Sequence, residues 1–414
     1  METMYVYAGF DFLKTEQLIG RFNYERIRGT ESYGFEFDNE WLKKFGGTIL
    51  GEDLRNFPGL QYSQDRIFGC FADALPDRWG KTLLDRRESI EAEEQNRPPR
   101  QLSSFDYLKG IDDFSRMGGF RFKTSMDGDF INDTKKLKIP PITYIRELFA
   151  AAQEIEKSEE LSQRPEKKWI MQLIDPGTSL GGARPKAAVI DTDGRLAVAK
   201  FPSRFDDYDI GLWEHFCHLL AQKAGINTAE TTVIETGKKY HALLSKRFDR
   251  TPDGRRVHFA SSLTMTGFQD GDGAKNGKGY PDIADFIIRC GGNAEKDLQQ
   301  LFRRIAFNIC VGNTDDHFRN HGFLLTPKGW ILSPAYDLNP TTKTYHALMI
   351  TPSSNESDLN GLLKSSDVYM LDYNAAKEIV TEVLSAVKDW QNIATQLQIS
   401  KSEMKRFSAR FIHN

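Results

Sequence analysis

Two polar segments in the C-terminal half contain carboxylate and amide side chains at a defined spacing. Asp315 and Asn320 lie five residues apart in NTDDHFRN, and Asp337 follows within SPAYDLNP. In the catalytic loop of protein kinases a base aspartate and a metal-binding asparagine have this spacing, and a second acid holds Mg²⁺ against the phosphates. Because phosphate and water complete the Mg²⁺ shell, an amide and a carboxylate suffice. The spacing predicts Asp315 as the base and Asn320 and Asp337 as Mg²⁺ ligands; capping residues in two polar loops are the alternative.

A glycine-rich segment precedes two predicted strands in the middle of the chain. In SLGGARPK, adjacent glycines would let backbone N–H groups approach an anion, and Arg184 and Lys186 would add positive charge. Lys200 ends the strand LAVAKF, where protein kinases hold the phosphates of ATP. Taken alone, the adjacent glycines are more typical of an ordinary turn, and Lys200 is equally typical of a solvated lysine at the end of a strand. Their order before the NTDDHFRN segment favours phosphoryl transfer from ATP.

Two other features have competing interpretations. Glu214 lies on a predicted helix and could pair with Lys200, as a helix glutamate does in kinases, but a solvated position on an amphipathic helix is favoured. The segment DGDGAKNGKGY, which starts at Asp270, resembles half of a calcium loop but lacks the glutamate at its twelfth position. A flexible surface loop is the favoured interpretation. Its place in the chain also allows a position near the substrate, like that of an activation segment.

The order of five motifs is more specific than any one of them. The motifs are FADALPDRWGKTLL, SLGGARPK, KRFDR, GNTDDHFRNHGFLL and LSPAYDL. Together they resemble the HipA family of Ser/Thr protein kinases, which are toxins of type II HipBA-like toxin–antitoxin systems. The resemblance extends over nearly the whole chain.

The resemblance implies roles for individual residues. Asp315 would be the catalytic base, Asn320 and Asp337 would hold Mg²⁺, and Ser179 falls on the serine that family members autophosphorylate. The residues that would bind the nucleotide are Gly181, Gly182, Ala183, Arg184, Pro185, Lys186, Lys200, Lys246, Arg247, Phe248, His317, Asn320 and Tyr336. Lys246 stands where some members carry an acidic residue, so a contact with adenine at this position would be made by backbone atoms.

The same resemblance implies cofactors and partners. ATP and Mg²⁺ are the expected cofactors. The expected partners are a protein substrate such as an aminoacyl-tRNA synthetase or another translation factor, a HipB-like DNA-binding antitoxin, and operator DNA bound through the antitoxin complex. Two alternatives stay open: a kinase for a small molecule, which would use the same catalytic loop, and a catalytically silent corepressor. The intact Asp315, Asn320 and Asp337 argue against the silent protein, because a scaffold needs none of them.

The helices and strands predicted around these residues indicate an α+β protein. We expect a two-lobed protein-kinase-like fold with a small N-terminal α/β module. The predicted parts are residues 1–130 for the module, 131–255 for the lobe with the phosphate loop and nucleotide-binding strands, and 256–414 for a mostly helical lobe. A polar segment over about residues 125–140 is interpreted as the linker that ends the module, and the charged segment EAEEQNRPPRQ as a surface loop.

Composition excludes several classes of protein. The 414 residues are 39% apolar and 27% charged, which indicates neither a disordered nor a fibrous chain. A net charge of −3 gives no overall attraction to nucleic acid. The four cysteines lie far apart, so a disulfide framework is not expected. The first residues do not resemble a signal peptide and no run of about 18 apolar residues occurs, so we expect a cytoplasmic protein with no membrane partner.

Overall fold

The computed structural model describes residues 1–411 except 65, 134–138, 162–165, 175–181, 183 and 238. The chain divides into two compact units. The first comprises Met1–Phe205 and Lys246–Ala260, and the second comprises Asp206–Ser245 and Ser261–Asn414.

The first unit contains an antiparallel sheet of five strands in the order β4-β3-β2-β1-β5. The strands are β1 (Glu2–Ala8), β2 (Gln17–Ile27), β3 (Thr30–Phe37), β4 (Leu60–Gln64) and β5 (Phe120–Lys123). Alternate residues of β1 are buried, as expected for a strand with one face on a core. Phe22, Phe71 and Phe120 belong to this core, with ring centroids 4.6 Å and 5.6 Å apart along the series.

Helices and a hairpin complete the first unit. They are α1 (Asn39–Phe45), α2 (Gly69–Ala72), α3 (Arg78–Glu94), α4 (Ser104–Gly110), α5 (Ile145–Glu160), α6 (Lys167–Ile174), β6 (Lys186–Ile190) and β7 (Leu196–Lys200). Asp77 caps α3 by accepting a hydrogen bond of 2.7 Å from the Gly80 backbone N–H. β6 and β7 pair antiparallel, with Lys186 opposite Lys200.

The remaining elements follow along the chain. They are α7 (Ile210–Lys223), β8 (Thr231–Glu235), β9 (His241–Lys246), β10 (Phe259–Ser261), α8 (Ser262–Met265), α9 (Tyr280–Cys290), α10 (Ala294–Val311), β11 (Gly322–Thr326), β12 (Gly329–Leu332), α11 (Leu359–Lys364), α12 (Tyr373–Val387), α13 (Trp390–Gln396) and α14 (Lys401–Phe407). In the second unit α10 packs against α9 and α12, and every residue from Arg304 to Val311 is buried. No helix of the described ranges is both long and apolar enough to span a bilayer.

Most predicted elements are present, but two interpretations need correction. The segment EAEEQNRPPRQ, predicted as a loop, begins inside α3, which continues to Glu94 because Ala92 is buried in the core. The predicted linker is packed at its centre: the Phe130 ring lies 5.5 Å from that of Tyr7, and Ile131 donates to the Phe122 carbonyl. Residues 134–138 of that segment lie outside the described residues. The three-part division of the chain stays a prediction.

Candidate active site

The segment that contains Asp315 begins where a buried helix ends. Gly312 terminates α10 with φ of +67°, a left-handed conformation that glycine adopts without steric cost. The backbone N–H of Asn313 then donates to the Asn308 carbonyl, and the Asn313 side chain donates to the Asn308 side-chain oxygen. Asn313 and Thr314 are buried. The chain therefore leaves α10 on a fixed path into the polar loop.

Asp316 fixes the loop from inside the second unit. Its Oδ2 atom accepts hydrogen bonds from Tyr280 on α9, from Asn308 on α10 (2.7 Å) and from His321 before β11 (2.7 Å). Burial opposes ionisation of Asp316, but the His321 imidazole and the hydrogen bonds outweigh it and lower the pKa of the carboxyl group. Three elements thus hold one aspartate, which leaves the preceding residue, Asp315, directed to solvent.

Asp315 is the accessible carboxylate of the adjacent pair. Its side chain is 61% exposed, whereas that of Asp316 is 3% exposed. The Lys343 ammonium group donates to Oδ1 of Asp315 at 2.7 Å. A carboxylate that is open to an incoming hydroxyl group and adjacent to a cation can accept a proton while the cation offsets negative charge nearby.

The hairpin of β11 and β12 brings the two predicted Mg²⁺ ligands to one end of the second unit. Asn320 precedes β11 and Asp337 follows β12, and the antiparallel pairing places the start of one strand beside the end of the other. The Ser333 backbone N–H donates to the Gly322 carbonyl at 2.9 Å, which closes this end. Asp337 has φ of +61°, a conformation that non-glycine residues rarely adopt and that is concentrated at functional sites. An amide oxygen and a carboxylate are ligand types that Mg²⁺ accepts, so Mg²⁺ binding by Asn320 and Asp337 stays a prediction.

Tyr336 connects the Asp337 segment to the loop that contains Asp315. Its hydroxyl group donates to the Arg319 carbonyl at 2.7 Å, while the Asn320 backbone N–H donates to the His317 carbonyl at 2.8 Å. His317 is exposed and Asn320 is 9% exposed. The predicted residues Asp315, His317 and Asn320 therefore lie in one segment of the second unit, and the hydrogen bond of Tyr336 joins this segment to the one that contains Asp337.

The predicted phosphate-binding lysines lie in the first unit, on paired strands. Lys186 and Lys200 are opposite one another across β6 and β7. The Lys186 ammonium group is buried, lies 2.8 Å from Oδ2 of Asp77 and donates to the Gly182 carbonyl at 3.3 Å. Burial raises the pKa of Asp77, and the Lys186 charge opposes that rise. In this conformation Lys186 fixes the end of the glycine-rich segment to the start of α3.

The side chains of the KRFDR motif differ in burial and in the partners that they contact. The Lys246 ammonium group donates to Asp193 at 3.0 Å, and Phe248 is partly buried. The Arg247 guanidinium group is buried against Asp249, with two contacts of 2.6 Å. Burial opposes ionisation of Asp249, but the Arg247 and Arg250 charges lower the pKa of its carboxyl group. The Arg247 backbone N–H donates to the Leu196 carbonyl at 3.0 Å, so its side chain and its N–H group are both engaged within the first unit.

Part of the glycine-rich segment has no described structure. Ser179, Gly181 and Ala183 lie outside the described residues. Gly182 has φ of +102°, which a residue with a side chain would adopt only with strain. The Pro185 carbonyl accepts from the Phe201 backbone N–H at 2.8 Å, and the Arg184 side chain is partly exposed.

Glu214 corrects one interpretation of the sequence. It was assigned to the solvated face of an amphipathic helix, but its side chain is 3% exposed. α7 is buried on several sides, including Gly211, Cys217 and His218, so its apolar stripe does not define a single inner face.

Sequence reasoning missed Lys343 and the residues that hold Asp316. Lys343 lies in TTKTY, six residues after Asp337, where no periodic pattern or motif distinguishes it. Tyr280 and Asn308 lie in helices and have the appearance of ordinary core positions. The doubled aspartate in NTDDH is the one feature of the sequence that points to different roles for two neighbouring acids.

The chain matches the family described as HipA-like C-terminal domain over residues 178–391. It is 28% identical to the serine/threonine-protein kinase toxin HipA of Shewanella oneidensis over 44% of this chain and 48% of that protein. It is 24% identical to the toxin YjjJ of Escherichia coli over 55% of this chain and 50% of that protein. The chain thus spans about half the length of the curated relatives it matches.

A solved structure resembles nearly the whole chain. It is the complex of the Shewanella oneidensis toxin–antitoxin proteins HipA and HipB with operator DNA. The TM-score is 0.69, with 19% identity over 98% of this chain and 94% of the matched one. At this identity the likeness establishes the fold, so the predicted α+β fold is confirmed.

Proposed function

The chain belongs to the HipA-like C-terminal domain family, and we propose that it is an ATP- and Mg²⁺-dependent Ser/Thr protein kinase that acts as the toxin of a bacterial toxin–antitoxin pair. The resemblance predicted from the five motifs is confirmed by this membership. The activity is supported by relatives that are named as kinases, among them the HipA toxin of Shewanella oneidensis and a putative kinase of Haemophilus influenzae.

One observation carries the proposal. Asp315 is exposed beside Lys343, in a loop that Asp316 fixes from within, while the β11–β12 hairpin sets Asn320 and Asp337 at the same end of the unit. A kinase active site needs an accessible base, a nearby cation and two oxygen ligands for a metal ion. A protein without catalytic activity has no need of an exposed carboxylate beside a rigidly held loop.

The residues of this chain would divide the reaction as follows. Asp315 would orient the acceptor hydroxyl group and take its proton as the oxygen attacks the γ-phosphorus atom and the bond to ADP breaks. Asn320 and Asp337 would hold Mg²⁺, which would supply positive charge to the phosphate oxygens when bound. Lys343 would reduce the cost of negative charge next to Asp315. Lys200 and the glycine-rich segment would bind the ATP phosphates.

Membership of this family also suggests which molecules the protein binds. We propose a HipB-like DNA-binding antitoxin, contact with operator DNA through that antitoxin, and a protein substrate of the translation apparatus. The named complex of a structurally similar protein with HipB and operator DNA supports the first two. Autophosphorylation at Ser179 would regulate the kinase.

A labelling experiment tests the activity. The purified protein is incubated with γ-labelled ATP, Mg²⁺ and bacterial lysate, beside Asp315→Asn and the control Asp285→Asn. Asp285 is a suitable control because its side chain is 64% exposed and paired with Arg289, much as Asp315 is 61% exposed and paired with Lys343. We expect labelled protein with the wild type and the control and none with Asp315→Asn. Label in a small molecule would favour the small-molecule kinase, and no ATP consumption would favour a silent corepressor.

A further inference from the structure

A cavity of about 680 Å³ opens beside the catalytic loop, entirely within the second unit. Three segments line it: residues 270–275, residues 317–319 and residues 345–347, together with Leu263 and Asn355. Neither residue assigned to Mg²⁺ binding belongs to its lining, and of the residues assigned to nucleotide binding only His317 does. The cavity is therefore a feature distinct from the metal-binding end of the β11–β12 hairpin.

The wall at residues 270–275 is held in place by an ion pair. The Arg319 guanidinium group contacts both carboxylate oxygens of Asp270, at 2.6 Å and 2.9 Å. Inside the segment, the Asp272 carboxylate accepts from Lys278 at 2.7 Å and from the Gln269 backbone N–H at 2.9 Å. The segment predicted as a flexible surface loop is thus a structured wall tied to the catalytic loop.

The opposite wall is hydrogen-bonded to the residue that precedes the proposed base. The Ala347 backbone N–H donates to the Thr314 carbonyl at 2.9 Å, and the Ala347 carbonyl accepts from Ala274 at 2.8 Å. His317, two residues after Asp315, lines the cavity and is exposed. The cavity is therefore bounded by chain on both sides of Asp315.

This position restricts what can occupy the cavity during phosphoryl transfer. The acceptor hydroxyl group must come within about 2.6–3.2 Å of the base. An extended peptide advances about 3.3–3.6 Å per residue. Residues one to three positions from the acceptor serine or threonine would therefore lie over the cavity next to Asp315.

The lining favours an apolar side chain. The apolar residues of the lining include Ala347 and Tyr345, of which Tyr345 is 59% exposed, while Leu263 and Phe318 are largely buried in the wall. The formal charges of the lining cancel, since Asp270 and Asp272 are balanced by Lys275 and Arg319. A charged side chain would gain no net attraction there, whereas a large apolar one would bury surface against the wall.

We propose that this cavity is the acceptor-peptide site of the kinase and selects a large apolar residue within three positions of the phosphorylated serine or threonine. The inference rests on the proposed function and adds a substrate class to it. The bound segment is an extended peptide of a protein substrate. The exposed ring of Tyr345 covers its apolar side chain.

The test uses the full chain and a serine-centred peptide library with degenerate flanking positions. We expect the wild type to prefer leucine, methionine or phenylalanine at one position within three of the serine. Tyr345→Ala should raise KM for the preferred peptide about tenfold and leave KM for ATP unchanged. Tyr373→Ala is the matched control, because Tyr373 is 55% exposed and does not line the cavity. It should behave as the wild type does.

A second variant guards against a trivial loss of folding. Ala274→Leu narrows the cavity and should shift the preference toward a smaller residue, a gain that misfolding cannot produce. If the wild type phosphorylates peptides without an apolar preference, or both variants keep its KM and preference, the cavity assignment is overturned while the kinase function stands. If neither peptides nor lysate proteins accept phosphate, or only a small molecule does, the proposed function falls and this inference falls with it.

Discussion

The ammonium nitrogen of Lys343 lies 2.7 Å from the carboxylate oxygen Oδ1 of Asp315. Both side chains are more than half exposed, at 66% and 61%. Ion pairs of this kind contribute about 0–1 kcal/mol to folding. Substitutions at either residue should therefore change chemistry and leave the free energy of unfolding nearly unaltered.

Asp315→Asn should abolish measurable phosphoryl transfer while the protein stays folded and binds ATP. Loss of a general base lowers the rate by a factor of roughly 10² to 10⁴. Initial rates with γ-labelled ATP measure this effect, and circular dichroism of the same sample reports folding. Asp285→Asn should retain the wild-type rate. Near-normal turnover by Asp315→Asn would exclude Asp315 as the base.

Lys343→Ala should lower kcat by roughly ten- to a hundredfold. Removal of a buried hydrogen-bond donor from an oxyanion site lowers kcat by a factor of roughly 10² to 10³. The effect of Lys343 should be smaller because this residue is exposed to solvent. KM for ATP should change little. Lys343→Arg should recover part of the rate, since it restores the charge. Lys43→Ala is the control, because Lys43 is 70% exposed and paired with Glu40, and both residues lie in the N-terminal part of the chain. A wild-type kcat for Lys343→Ala would reduce the contact to a surface ion pair.

Asp337→Asn should weaken binding of Mg·ATP and its dependence on Mg²⁺ concentration. Asparagine tolerates the left-handed backbone at this position, whereas alanine would add strain, so the variant removes charge with little change of conformation. Calorimetric titration at several Mg²⁺ concentrations measures both effects. Unchanged affinity together with unchanged metal dependence would contradict a metal-binding role for Asp337.

The residues of the candidate site differ in how far the sequence alone predicts them. The five-residue spacing of Asp315 and Asn320 is visible in the sequence, because both residues lie in one short loop between a helix and a strand. The structural role of Asp316 could not be predicted, since it depends on Tyr280 and Asn308, which come from two other elements.

The other contacts that the sequence did not predict join segments that lie far apart in the chain. Lys343 reaches Asp315 across 28 residues, and Arg319 holds Asp270 across 49 residues. No periodicity encodes such pairs. In β1, by contrast, buried residues alternate with partly exposed ones, a local pattern from which a strand can be predicted.

A buried histidine predicts how the stability of the protein depends on pH. His258 lies against the rings of Phe10 and Phe120, and burial lowers its pKa to about 3, although the Asp249 charge acts in the opposite direction. Its Nδ1 atom accepts from the Gly119 backbone N–H at 3.3 Å, which requires the neutral ring.

Below about pH 6.5 the unfolded chain takes up a proton at this residue and the folded chain does not. The free energy of unfolding should therefore fall as pH decreases from about 6.5 toward 4, by up to about 3 kcal/mol from this residue. Urea denaturation at a series of pH values measures the slope. His258→Asn should reduce the slope without removing it, because burial also lowers the pKa of His346 to about 4. An unchanged slope in His258→Asn would exclude His258 as a contributor.

Autophosphorylation at Ser179 should switch the kinase off. A phosphate there would add about −1.5 to −2 charges beside a segment proposed to bind the phosphates of ATP. It would compete for the backbone N–H groups of that segment and for Arg184 and Lys200, while Lys186 is already engaged by Asp77. The glycines of the segment would allow it to rearrange at low cost. The nucleotide affinity of the phosphorylated form should therefore fall well below that of the unmodified form.

Mass spectrometry after incubation with Mg·ATP, followed by nucleotide titration of the separated phosphorylated fraction, measures both steps. Ser179→Ala should take up no phosphate at this position and keep its affinity for ATP, and Thr178→Ala controls for modification of the neighbouring hydroxyl group. Asp315→Asn should leave Ser179 unmodified, which identifies the reaction as the protein's own. The switch is contradicted if Ser179 stays unmodified while a substrate is being phosphorylated, or if the phosphorylated fraction binds ATP as tightly as the unmodified protein does.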